Sequence, residues 1–333
     1  MNRNFLTTNE CSRAELDSLI ASASAIKSGN PIERTLKGKS IALVFFNPSL
    51  RTRTSMQVGI YELGGNPVIL EPGSSSWTLE HREGVVMDGN KTEHLKEFVR
   101  VLERYVSAIG VRTFAELKDW STERTDPVLN AFVKYANVPI INLESAMHHP
   151  CQAMADMMTI REKLGEGRKK VLLTWAWHPK PLPMAVPNSF ALAAAQFGHD
   201  LKIAHPKGYE LDGELLSRIE NHVRESGGSV EYSNDIEGSF DNVEAVYAKS
   251  WGSKQFYGNS DADVQERAQY RDRWIADESK MKRTAGALFM HCLPVRRNVI
   301  VTDAVIDSPS SVVIEQAENR LHIQKAVMKE LFK

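Results

Sequence analysis

Short apolar runs rich in valine and isoleucine recur along this chain: "SIALVFF", "NPVIL", "VSAIGV", "VPIINL", "KKVLLTW", "LKIAH", "EAVYAKS", "GALFMHC" and "SVVIE". Stretches of helical period separate them. A run without polar alternation suits a strand buried on both faces, and helices on either side of a parallel sheet provide that burial. The pattern therefore predicts an α/β fold. Four runs fall before residue 145 and four or five after it, so the 333 residues divide into two doubly wound parallel-sheet domains, 1–146 and 147–315. The closing segment 316–333 carries a helical stripe of Leu321, Ile323, Ala326, Val327 and Leu331, and is expected to pack back on the first domain.

Ser12 and Glu15 have capping-box spacing ahead of Leu16, Leu19, Ile20 and Ala23, which predicts a first helix. "TRTSMQVGIYELGG" reads as a helix ending at Gly64 and Gly65, and "HPCQAMADMMTIREKLG" as one joining the domains. Glu71–Asn90 and His178–Pro187 are longer than ordinary α/β connections, and long loops in compact domains are usually functional. The second holds four prolines, which excludes a central strand.

With 41 Lys+Arg against 42 Asp+Glu, the charge offers nothing to a nucleic acid. No apolar run reaches membrane-spanning length, and "MNRNFLTTNE" lacks a basic-then-apolar leader, so a soluble cytoplasmic protein is expected. Cys11, Cys151 and Cys292 are far apart and form no C-x-x-C pair, which reads as reduced thiols with neither disulfide nor zinc. His148 and His149, being adjacent and without a third ligand, do not make a metal site. No metal or cofactor is expected.

The stretch "FFNPSLRTRTS" then raises the question of chemistry. If "IALVFF" is a strand and the residues after it a helix, Ser49–Arg53 lie at a strand-to-helix turn. Free N–H groups at a helix start attract anions, and arginine forks match phosphate oxygens. Ser49, Arg51, Thr52 and Arg53 can form a phosphate site; a solvated helix start with surface arginines fits the spacing equally well. Neither glycine-rich nucleotide fingerprint occurs.

"SLRTRTS", "HPCQ" (His149–Gln152) and "HCLP" (His291–Pro294) together, in this order, resemble the signatures of aspartate and ornithine carbamoyltransferases. The resemblance implies a carbamoyl phosphate-binding first domain and an amino-acid-binding second one, with no metal or cofactor. It implies that Ser49, Leu50 (through its backbone), Arg51 and Thr52 hold the phosphate. Arg112, His149 and Gln152 reach the carbamoyl end, Arg320 adds a charge, and Pro150, Cys151, Cys292 and Leu293 line the site. It further implies a homotrimer in which Trp77 enters a neighbouring site. Read alone, Cys292 suits an inert buried thiol, Trp77 simple loop packing, and Glu144 a helix cap.

An Asp-x-x-x-S-M-G motif for free ornithine is absent. "VVMDGNKTEHL", "TWAWHPKPLPMAVPNSF", "YAKSWG" and "HCLPVRRNVIVTDAVIDSP" instead resemble the carbamoyltransferases of N-acylated ornithine, which act in arginine biosynthesis. That resemblance implies acylornithine contacts at Glu144, His178, Lys249 and Arg296, with the last three neutralising carboxylates, and a chain knot around the proline-rich loop. Acetyl enzymes carry glutamate at the place of Thr92 and succinyl enzymes proline. A carboxylate there would repel a succinyl group by about 4 kcal/mol at roughly 4 Å and an effective dielectric near 20. Thr92 is uncharged, and Ile300 replaces a lysine of the acetyl enzymes. N-succinyl-L-ornithine is therefore the expected acceptor, with N-acetyl-L-ornithine the alternative. A catalytically silent anion-binding homologue is disfavoured by Arg112, His149, Gln152 and Arg320 together, and a dehydrogenase by the missing glycine fingerprint.

Overall fold

The computed structural model describes residues 4–31 and 33–333; Met1–Arg3 of the N-terminal stretch and Ile32 lie outside the described residues. Two compact units are present: Met1–Ala115 with Ser121–Cys151 and Arg320–Lys333, and Glu116–Trp120 with Gln152–Asn319. The division falls inside two helices, Pro150–Leu164 and Val313–Leu331.

In the first unit, β1 (Ser40–Phe45), β2 (Asn66–Leu70), two short strands β3 (Leu79–Glu80) and β4 (Glu93–His94), β5 (Ala108–Arg112) and β6 (Ile140–Glu144) follow in sequence. The main sheet is wholly parallel, in the order β2-β1-β5-β6, and β3 pairs only with β4. Ala42, Val44, Ile109 and Val111 send side chains into a core closed by Leu95, Val99 and Phe132. Phe132 meets Phe46 and Phe98 edge-to-face. The first helix runs Arg13–Lys27 with both capping-box bonds formed, and buries Leu16, Leu19, Ile20 and Ala23 as its period requires. The helix after β1 spans Arg51–Glu62, one residue earlier at its start than "TRTSMQVG…" implies, and stops where Gly64 takes a φ of 84°.

The second unit holds β7 (Lys170–Trp175), β8 (Asp200–Ala204), β9 (Ser229–Ser233), β10 (Ala245–Lys249) and β11 (Leu288–Met290), parallel in the order β11-β10-β7-β8-β9. The fifth strand is "SVEYS" and not "SVVIE". β9 is an edge strand whose residues are mostly exposed, so it lacks an apolar run. Ser311 only bridges Phe289, and Val313 opens a helix. The irregular stretch after His178 also ends early: a helix covers Ala185–Gln196, and Pro187 sits in its first turn, where a missing N–H costs nothing. That helix is buried all round, as an alanine-rich apolar segment between a sheet and a neighbouring helix should be.

Each sheet has one place where strand order reverses, β1/β5 in the first unit and β7/β10 in the second. Ligands of open α/β sheets bind at the carboxyl ends of such strands. Register puts Phe45 beside Arg112 at one reversal and Trp175 beside Lys249 at the other. Among the described residues, no helix is long and apolar enough to cross a membrane.

Candidate active site

At the β1/β5 reversal the turn Asn47–Leu50 leads into the helix Arg51–Glu62. Ser49 Oγ accepts from Thr52 N at 3.2 Å, fixing the first turn, while Thr52 is buried and Leu50 is exposed. The turn is tied to β5 at three points. Phe46 N donates to Arg112 O (3.0 Å), Phe114 N to Asn47 Oδ1 (2.7 Å), and Arg112 NH2 to Pro48 O (3.4 Å). Arg53 points elsewhere: its NH1 donates to Glu71 Oε1 at 2.7 Å, so it braces the helix start against the residue following β2.

Arg112 is the centre of this half. Its NH1 donates to Glu144 Oε2 at 2.6 Å, its Cζ lies 4.3 Å from the Phe114 ring centroid, and its buried Nε has no hydrogen-bond partner among the described residues. Glu144 sits at the end of β6 with a φ of 150°, a conformation a side chain rarely adopts. Its carboxylate serves Arg112 and not a helix cap, and lies 3.6 Å from His149 Nε2. Ser49–Thr52, Arg112, Glu144 and His149 are thus brought into one neighbourhood.

Burial, with Arg320 and Arg112 adding to it, holds the His149 pKa well below the usual imidazole value, so the ring is neutral. A neutral imidazole can donate one N–H without giving up its proton to bulk water. Cys151, fully buried, has its thiol pushed up to about 12 and is inert at neutral pH. The loop before His149 is rigid because Asp126 accepts from Ser145 Oγ, Ala146 N and Met147 N. Trp77 and Thr92 lie on the long loop and are exposed. Trp77 Nε1 donates to Glu93 Oε2 (2.6 Å), and Thr92 N to Thr78 O (3.2 Å).

The second unit, taken by itself, has a set of polar groups at the β7/β10 reversal. Arg296 Nε donates to His178 Nε2 at 3.0 Å, and Lys249 ends β10, its carbonyl accepting from Ala176 N at 3.0 Å. Burial above all, with Arg296, Lys249 and Arg267 nearby, lowers the His178 pKa to about 4. His178 Nε2 thus meets Arg296 as an uncharged acceptor. Cys292 and Leu293 follow β11, where Leu293 N donates to His291 Nδ1 (2.8 Å) and His291 N to Gln316 Oε1 (3.0 Å).

One residue of this half goes unnoticed in the sequence. Asp156, fully buried, accepts at Oδ1 from Gln152 Nε2 and from Gln316 Nε2, each at 2.7 Å, so one carboxylate joins the "HPCQ" and "HCLP" segments. The four-residue spacing of Gln152 and Asp156 on one helix face was the available signal. Among the described residues, no group of three His, Cys, Asp or Glu side chains could hold a metal ion.

Residues 3–162 match the aspartate/ornithine carbamoyltransferase carbamoyl-P binding domain, and residues 183–331 match the Asp/Orn binding domain of the same family. The chain is 48% identical to the N-acetylornithine carbamoyltransferase of Xanthomonas campestris pv. campestris, over 99% of this chain and 97% of the relative. It is 41% identical to the N-succinylornithine carbamoyltransferase of Bacteroides thetaiotaomicron, over 89% of this chain and 88% of that one. Among solved structures, it resembles a glutamate-to-proline variant of N-acetyl-L-ornithine transcarbamylase complexed with carbamyl phosphate and N-succinyl-L-norvaline. That likeness has a TM-score of 0.95 at 48% identity and covers 98% and 99% of the two chains. Both domains match and the likeness runs nearly end to end: the chain belongs to the aspartate/ornithine carbamoyltransferase family and is a carbamoyltransferase.

Proposed function

We propose that the enzyme transfers the carbamoyl group of carbamoyl phosphate to the side-chain amine of an N-acylated L-ornithine, in arginine biosynthesis, with N-acetyl-L-ornithine as acceptor. The observation that carries the transfer is Arg112 held between Pro48, just before Ser49–Thr52, and Glu144, with neutral His149 beside them. In this reading Ser49, the Leu50 backbone, Arg51 and Thr52 hold the phosphate. Arg112, His149, Gln152 and Arg320 face the carbonyl whose oxygen gains charge, and Pro150, Cys151, Cys292 and Leu293 line it. Donors fixed before charge develops act with no reorganisation at the moment of reaction, and each is worth roughly 3 kcal/mol.

Attack by the neutral amine forms the new C–N bond, the C–O bond to phosphate breaks, and the departing phosphate takes the proton. No protein base is required. In this reading Glu144 accepts from the incoming amine, while Lys249 and Arg296 supply charge for carboxylate and His178 fixes Arg296. Trp77 reaching a neighbouring copy in a trimer and the knot around the proline-rich loop remain parts of the same proposal, inferred from resemblance; a cytoplasmic location and domain limits at 146 and 315 rest on the sequence pattern alone, and the compact units divide after Cys151 and Asn319.

The order of the two acceptors expected from the sequence is reversed here. Likeness to the acetyl enzyme is higher and spans more of the chain than likeness to the succinyl enzyme. N-succinyl-L-ornithine stays as the second reading because of one residue, Thr92. It is uncharged where the resemblance gives acetyl enzymes a glutamate, and a glutamate-to-proline variant of such an enzyme is complexed with N-succinyl-L-norvaline. Steady-state assays with carbamoyl phosphate and each acylornithine, following acylcitrulline, decide the matter. A preference for the acetyl substrate of tenfold or more in kcat/KM is expected; the opposite preference selects the second reading, and turnover of neither removes both.

A further inference from the structure

Behind the loops at the β7/β10 reversal lies an ion pair that the transfer chemistry does not use. Arg267, the last residue of the helix Ser260–Arg267, is completely buried, as is Asp263 one turn before it. Arg267 Nε donates to Asp263 Oδ1 at 2.6 Å. Asp263 is itself held, accepting from Tyr209 Oη at Oδ1 (3.0 Å) and from Ser253 N at Oδ2 (2.9 Å). The guanidinium lies 5.6 Å from the ring centroids of both Trp175 and Tyr209.

A buried ion pair is weak support for stability, since apolar residues of equal volume often do as well. What this one offers is direction. Arg267 NH1 donates to His178 O (3.1 Å) and Lys180 O (2.9 Å), and NH2 to Trp251 O (3.2 Å). These carbonyls belong to the segments following β7 and β10. In the first, Pro179, Pro181 and Pro183 remove the backbone donors that could otherwise organise it.

Lys180 O also faces the His178 ring. His178 Nδ1 lies 2.8 Å from Lys180 O and 3.1 Å from Lys180 N, while Nε2 receives Arg296 Nε. An arginine N–H can only donate, so Nε2 must accept; the ring proton is then on Nδ1 and goes to Lys180 O. A chain of fixed groups thus runs from Asp263 through Arg267 and the Lys180 carbonyl to His178 and Arg296.

We propose that Arg267, held by Asp263, is a positioning residue for the acceptor amino acid. By clamping the His178 and Lys180 carbonyls it fixes the acceptor of the His178 Nδ1 proton, and through that ring aims the Arg296 guanidinium at the acceptor's carboxylate. This rests on the reading of His178 and Arg296 as acceptor contacts.

The test compares Arg267→Lys, Arg296→Ala and the double variant in steady-state assays on the full enzyme, with the acylornithine the wild type prefers. Arg267→Lys keeps the charge and loses the planar fork. It is expected to raise the acylornithine KM at least tenfold while the carbamoyl phosphate KM stays within twofold, and to add less than twofold to the effect of Arg296→Ala. Equal rises in both KM values, an unchanged acylornithine KM, or full additivity in the double variant overturn the positioning role. If Arg296→Ala alone leaves the acylornithine KM unchanged, the acceptor reading is what has failed. Should Arg267→Lys not fold, nitrogen NMR of wild-type enzyme labelled at histidine still decides: an Nδ1–H tautomer at His178 is expected, and an Nε2–H tautomer overturns the proposal.

Discussion

The two units use the same architecture, a parallel sheet with one reversal of strand order, yet build their ends of the chemistry differently. In the first, the candidate ligand groups stand on regular elements: a helix start after β1, the last residue of β5, the last of β6. In the second, His178 and Arg296 stand on irregular segments, and their geometry depends on a buried carboxylate–guanidinium pair beneath. A small rigid anion can be gripped by what a strand and a helix end already offer. An acceptor with several polar ends needs loops, and loops need a clamp.

Four substitutions and one titration press on that contrast, in falling order of effect. Arg51→Met removes a phosphate donor from the regular half, and kcat/KM for carbamoyl phosphate should drop about a thousandfold, on the order of 4 kcal/mol. Arg296→Ala attacks the loop-built half. The acylornithine KM should rise about a hundredfold, roughly the worth of a lost charged hydrogen bond, with the carbamoyl phosphate KM unmoved in initial-rate assays. Thr92→Glu should lower succinylornithine turnover about tenfold relative to acetylornithine, part of the unscreened repulsion because the loop is exposed. Equal loss with both acceptors would place the residue away from the acyl group.

Ser49→Ala deletes the hydroxyl that accepts from Thr52 N, and should cost about 1 kcal/mol, read as a lower melting temperature with altered carbamoyl phosphate affinity. The smallest effect concerns pH. The His178 pKa is lowered from 6.5 to about 4 in the folded protein, so the unfolded chain takes up its proton first as pH falls. Stability should therefore decline as pH drops through that window, while the acylornithine KM, measured from pH 7 to 5.5, should show no inflection near 6.5 from this residue.

The strands flanked by helices were legible because burial on both faces leaves uninterrupted apolar runs, as in "KKVLLTW" and "EAVYAKS". Edge strand β9 was not, since exposure allows glutamate and serine into it. "SVVIE" misled for the converse reason: Val312 and Val313 are buried, but at the start of a helix. In the site, the strand-to-helix turn at Ser49–Arg53 could be read because a buried apolar run ends and a helical period begins there. Whether Arg53 bound or braced could not, since its partner Glu71 lies eighteen residues on. The segment "SDADVQER" looks like a solvated helix, yet tertiary packing buries its Asp263 and Arg267, and no local pattern announces that.

Asp156 has a consequence of its own. A carboxylate oxygen that two side-chain amides share admits only their NH2 ends, so neither Gln152 nor Gln316 can be turned about without breaking a 2.7 Å bond. Gln316 spends its oxygen on the amide of His291. Gln152 keeps a second N–H on the same nitrogen, so a single proton-free atom in the interior sets which way both amides are turned.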